Sequence, residues 1–230
     1  MEIIGRLRKK KVAEHYDKIS KYYDGFGFGF LKRLFEFCLY VGILNYLESG
    51  DAALDVACGT GNMSFELVTK FKRVYGIDIS KGMLKNARLK METAEAKNGQ
   101  IGFIYGDGEY LPFKDKTFDA VTCILAISHF SDVERAISET KRVLKNGGIM
   151  VFNLLELRDG VLKKVFERRL QSLRRQFSTE LDSEKLLRFL GNAEIYERRK
   201  NLGPFFRYTF NNSVFVYQKQ NGGEARRGQV

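Results

Sequence analysis

The 230-residue chain has no tryptophan, only two prolines and only three cysteines. The prolines, Pro112 and Pro204, each precede phenylalanine, so no Pro-Pro or Pro-Cys pair occurs. Cys38, Cys58 and Cys123 lie far apart. Their odd number and lack of metal-ligand spacing lead away from a disulfide framework or a metal site. We expect packing cysteines in a reducing cytoplasm, not nucleophiles. No apolar run approaches the ~20 residues that cross a bilayer. The basic N-terminus carries no apolar segment of the secretory-signal kind, so no such signal is expected.

Charge is present in excess and unevenly placed. The net charge is +11, yet residues 51–150 hold 14 basic and 13 acidic side chains. The surplus therefore lies in the flanks. Basic flanks suit nucleic acid, an anionic membrane surface or an acidic substrate, and they also suit a plain solvated surface.

From residue 52 onward the pattern alternates. Strands are predicted at 52–57, 73–78, 101–105, 118–124 and 148–154, with helices at 62–71, 81–97 and 132–145 and a short piece at 126–130. Such alternation predicts an α/β fold with a parallel sheet. Before it lies a helical stretch opened by Lys9-Lys10-Lys11 and continuing through Tyr16. The alternating Gly25-Phe-Gly-Phe-Gly-Phe30 follows, then a helix from about Leu31 to Leu47. After it come helices near 160–177 and 183–190 and strands near 193–199 and 211–219. One domain over 1–220 is expected: a helical cap (1–50), a core (51–155) and later helices with a final hairpin (156–220). The Gly- and Arg-rich tail 221–230 is expected to be disordered.

The first strand, Ala53-Leu-Asp55-Val-Ala57-Cys-Gly59-Thr60-Gly61, carries one acid and stops at a glycine turn before a helix. Glycine lets the backbone turn sharply and lets a ligand lie on the main chain. The following helix aims free N–H groups at the same spot, which favours an anionic ligand group. A dinucleotide turn wants a third glycine where this chain has Ser64. The order acid, three residues, Gly-x-Gly instead resembles motif I of the class I S-adenosylmethionine-dependent methyltransferases. Ala57 stands where that family usually has glycine, and the resemblance implies that Asp55, Ala57, Gly59, Thr60 and Gly61 contact the cofactor.

Other motifs fall in the matching order. The second strand ends at Asp78, 19 residues after Gly59. An acid there can accept from both ribose hydroxyls. Ile79 is placed to pack on the adenine, and Ser80 to cap the next helix, where Met83 is a further expected cofactor contact. Asp78, Ser80, Met83 and Leu84 are similar to the family's pattern too. The resemblance implies that Asp107 accepts from the adenine amino group, that Gly108 offers backbone contacts, and that Leu125 to Phe130 lie beside the reacting methyl. His129 is there a candidate base. Asp119 is expected to hold the start of its strand, and Arg142 to Gly148 to form a helix end.

Within the family the chain looks most like the ubiquinone/menaquinone-biosynthesis type and its small-molecule relatives. Tyr16-Asp17 and Tyr23-Asp24 resemble their N-terminal tyrosine motif, whose tyrosine reaches the cofactor. The fold so implied is Rossmann-like, seven-stranded and mostly parallel, with the last strand antiparallel and a helical N-terminal extension. The cofactor implied is S-adenosyl-L-methionine. Adenine-N6 and cytosine-C5 chemistry is excluded by the missing Pro-Pro and Pro-Cys pairs. The expected acceptor is a small or lipid-like molecule. The Gly-Phe stretch and the cationic amphipathic 160–177 are expected to form a lid, the latter with a face suited to an anionic membrane. Three alternatives stay open: an RNA methyltransferase, a non-catalytic cofactor-binding subunit and, least favoured, a dehydrogenase.

Overall fold

The computed structural model describes residues 2–25, 39–93, 100–157, 181, 183–190 and 210–220. The chain begins with helix α1 (Glu2–Ile19), a turn of 3-10 helix (Ser20–Tyr22) and a helix over 39–44 (α2). Strand β1 (Gly50–Val56), α3 (Asn62–Leu67), β2 (Phe71–Asp78), α4 (Lys81–Thr93) and β3 (Ile101–Tyr105) follow. Next come β4 (Phe118–Cys123), a 3-10 turn (Ile127–His129), α5 (Val133–Val143), β5 (Leu144–Leu157), α6 (Ser183–Leu190) and β6 (Phe210–Gln218).

The strands form one sheet in the order β3-β2-β1-β4-β5-β6. All neighbours are parallel except β5 and β6. β1 sits in the middle, and its last five residues are all buried. That burial on both faces explains why it reads as a near-continuous apolar run rather than an alternating one. Leu54 and Val56 pack on one face with Ile137, Leu186 and Leu190 from α5 and α6. Ala53 packs on the other with Ile43, Met63 and Leu67 from α2 and α3. The molecule is thus three layers, helix on sheet on helix.

Six strands are seen among the described residues. The seventh, expected at 193–199, lies outside them, as do the Gly-Phe stretch from residue 26, the 160–177 segment and the tail. α1 starts at Glu2, one turn and more before the lysine triplet expected to open it. Gly147 and Gly148 do not end a helix. α5 stops at Val143, and the two glycines lie inside β5, where its pairing with β4 shifts between Phe118↔Leu144 and Ala120↔Ile149. The backbone needs extra residues there to bulge. Asp119 does hold the strand ends together. Its Oδ2 accepts from the N–H groups of Asp51 (3.0 Å) and Ala52 (2.9 Å), and its Oδ1 from Lys145 Nζ (2.8 Å).

Candidate active site

In this strand order the chain leaves β1 toward β2 and β3, then returns to place β4 on its other side. The gap left above the sheet at that reversal is where open α/β folds take ligands. One cleft lies there, at the carboxyl ends of β1 to β4. It encloses about 930 Å³ of empty space, counting its open mouth. The segments that reach it are Ala57–Thr60 after β1, Ile77–Ile79 at the end of β2, Gly106–Glu109 after β3 and Ile124–Ala126 after β4, with His129 and Phe130 beyond. α1 closes one wall through Lys9, Val12 and Tyr16.

The glycine turn owes its shape to three left-handed residues, Ala57 (φ 56°), Gly59 (φ 55°) and Gly61 (φ 81°). The two glycines serve different ends. A Cβ on Gly59 would meet nothing within 4 Å, so the backbone there lies open to a ligand. A Cβ on Gly61 would come within 2.6 Å of the Phe103 ring. Gly61 is required by packing, and it lies outside the cleft wall. Leu125 is also left-handed (φ 59°), held by its N–H donating to Asn153 Oδ1 at 2.5 Å.

Asp55, expected with Asp78 and Asp107 to hold the ligand, instead lies away from the cleft wall, with only 1% of its surface exposed. Its Oδ2 accepts from Ser64 Oγ (2.7 Å) and its Oδ1 from Thr122 Oγ1 (3.1 Å). It bolts β1 to α3 and β4, which keeps the turn between them in register. Burial pushes its carboxyl up to about 7, against the pull of those two hydroxyls. Strand alternation gives the reason for the placement. Asp55 shares the face of Ala53, inside the α3 layer, instead of standing at the strand's end.

Asp78 does stand at a strand end and lines the cleft. Its Oδ2 accepts from Gly59 N (2.8 Å) and its Oδ1 from Ser80 N (2.8 Å). Burial raises its carboxyl above the ordinary value, opposed by those N–H groups. Each oxygen retains acceptor capacity for a ligand hydroxyl. Ile79 and Met83 line the wall beside it, and Ser80 caps α4, accepting from Met83 N at 3.1 Å. Asp107 and Gly108 line the cleft after the neighbouring strand, where Gly106 N donates to Asp78 O at 3.0 Å. Asp107 Oδ1 accepts from Glu109 N (2.9 Å), while its Oδ2 takes Lys9 Nζ at 2.6 Å. Lys9 also reaches Glu109 Oε2 at 2.6 Å. Burial works against the charge of Lys9, yet the two carboxylates lift its pKa above the ordinary value.

Tyr16, Tyr23 and His129 meet at the cleft. Tyr16 Oη lies 3.0 Å from His129 Nε2, and the two rings sit edge to face. Burial, and then the charge of Asp78, push the Tyr16 phenol up to about 12. It is therefore protonated at neutral pH and able to donate to the imidazole. Thr60 is clamped from two sides, by Asp24 Oδ1 at 3.2 Å and by Lys90 Nζ at 2.9 Å. Lys90 pairs with Asp24 as well, at 2.7 Å.

The sequence reading placed Tyr16, Tyr23, Ala57, Gly59, Thr60, Asp78, Ile79, Met83, Asp107, Gly108, Leu125 and His129 at the site, and the fold brings them to this cleft. It missed Lys9, Val12, Tyr40, Asn62 and Glu109, which also line it, while Phe130 lines it as the segment from Leu125 was expected to. For α1 a signal was available. Gly5, Lys9, Val12 and Tyr16 follow the helical repeat and share one face. Nothing local marks Tyr40, which arrives by tertiary packing alone.

A methyltransferase-domain family profile matches residues 54–152, from β1 into β5. An uncharacterized protein of Methanocaldococcus jannaschii is 28% identical over 218 residues, covering 90% of this chain and 81% of the relative. The demethylmenaquinone methyltransferase of Thermotoga maritima is 33% identical over 164 residues, or 67% of this chain. The match takes in 65% of that enzyme, just under two thirds of its length. Among solved structures, phosphoethanolamine N-methyltransferase 2 of Haemonchus contortus superposes with a TM-score of 0.67 at 19% identity, over 89% of this chain and 58% of that one. It shares the fold.

Proposed function

We propose that the chain is an S-adenosylmethionine-dependent methyltransferase that methylates a small or lipophilic acceptor, with His129 taking the acceptor's proton and Tyr16 orienting His129. The observation that carries this reading is the Tyr16–His129 pair, 3.0 Å apart on the wall of the cleft that also holds Gly59 and Asp78.

The donor set suits the cofactor. Gly59 leaves open space against the main chain, Asp78 has acceptor capacity for the ribose, and Ile79 and Met83 offer an apolar wall for the base. Asp107 and the backbone of Gly108 are the groups for the base's polar edge. When bound, the cofactor supplies a methyl already activated on a cationic sulfur. The chain's residues then have to orient the acceptor, exclude water and receive one proton. Nε2 of His129 is held by Tyr16 Oη, so Nδ1 is the atom assigned to that proton. Loss of the Tyr16 hydroxyl by Tyr16→Phe is expected to lower kcat by about ten- to a hundredfold with little change in cofactor affinity.

The apolar wall of Val12, Ile124, Ala126 and Phe130 supports a lipophilic acceptor over a polyanion. The membrane-facing lid expected at 160–177 lies outside the described residues and adds no support. The test is methyl transfer from labelled cofactor into separate small-molecule, lipid and RNA fractions. Label in the first two, falling steeply in His129→Asn, is expected. Label in RNA alone, or no transfer by the purified chain, would overturn the acceptor class or the enzymatic reading respectively.

A further inference from the structure

Three large aliphatic side chains stand in solvent within five residues of α1: Ile3 is 75% exposed, Ile4 73% and Leu7 55%. The helical repeat continues their face through Lys10, Lys11, Glu14 and Lys18, all exposed. Glu14 is the one acid among them, and it lies 4.0 Å from Lys10. The opposite face, Lys9, Val12 and Tyr16, lines the cleft. α1 is therefore two-sided: one side builds the site, and the other shows aliphatic groups ringed by lysines.

We propose that the outer face of α1 docks on an anionic lipid surface. A helix with this make-up lies in the headgroup boundary, aliphatic chains inward and ammonium groups on the lipid phosphates. The competing occupants fit less well. A nucleic acid would engage the lysines and leave Ile3, Ile4 and Leu7 in water. A second copy meeting the same face would bring two sets of lysines together. No helix among the described residues is long and apolar enough to cross a membrane, so the contact is peripheral. Docking here sets the cleft wall against the lipid, and it needs no bound cofactor.

The chain's lack of tryptophan makes the test direct. The full-length Leu7→Trp protein is mixed, without cofactor, with vesicles of phosphatidylcholine alone or with added phosphatidylglycerol. A blue-shifted emission on the anionic vesicles only, weakened by salt, is expected. In co-sedimentation, the Ile3→Ser, Ile4→Ser, Leu7→Ser triple variant is expected to bind anionic vesicles at least about tenfold more weakly. Its unfolding midpoint should be unchanged, since all three side chains are exposed. Unshifted emission, or undiminished binding by the triple variant, overturns the proposal. So does sedimentation equilibrium showing a dimer that the triple variant splits, or preferential RNA binding that it leaves intact.

Discussion

Gly59 and Gly61 sit two residues apart in one turn, and substitution should separate their roles. Gly61→Ala forces a Cβ to within 2.6 Å of Phe103 at φ 81°, and an unfolding titration is expected to show a loss of about 3 kcal/mol. Gly59→Ala meets no neighbour and should cost only about 1 kcal/mol, for the left-handed backbone. It should nonetheless weaken S-adenosylhomocysteine by at least about tenfold in calorimetry, because the methyl takes the ligand's space. Equal stability losses for the two would contradict this division. Asp55 makes a different kind of prediction. Its carboxyl is raised to about 7 in the fold, so the native state holds a proton that the unfolded chain releases near pH 4. Stability is then greatest below about pH 4 on this account and falls as pH rises to about 7, by up to roughly 4 kcal/mol. Asp55→Asn should flatten that decline. An unchanged pH slope would mean that Asp55 is not the group responsible.

At the scale of elements, α1 is held by polar contacts at its end. Asp17 Oδ1 accepts from Ser80 Oγ (2.6 Å) and Gly82 N (2.8 Å), so α1 caps the start of α4. Asn86 Nδ2 donates to Ser20 O at 2.6 Å beside it. Asp17→Ala is expected to cost about 1–2 kcal/mol and to raise hydrogen exchange in α1 more than in β1. Uniform exchange would argue against this anchor. The elements themselves were largely legible. β1, α4, β4 and α6 follow from apolar period, Ser80 and the glycine turn. The bulge in β5 was not legible. Two adjacent glycines read equally well as a helix stop, and only pairing with β4 decides between them. The lysine triplet misled for a related reason, since charge does not open a helix that local propensity already supports from Glu2.

At the scale of the whole molecule, the cleft gathers four strand ends and α1, so ligand binding should stabilise all of them together. S-adenosylhomocysteine at a hundred times its dissociation constant is expected to add about 2.7 kcal/mol, seen as a rise in Tm of roughly 5–10 °C. NAD should give none, and the reverse result would revive the dehydrogenase alternative. By itself the sequence determined the fold class, the glycine turn and most of the cleft's residues, because apolar period, glycine and acids at strand ends are local signals. Only the tertiary structure decided that Asp55 braces the sheet, that Gly61 yields to a phenylalanine ring, and that Lys9 bridges Asp107 and Glu109. Those outcomes depend on which side chains meet across 9 to 98 residues of chain, and no local pattern records such meetings.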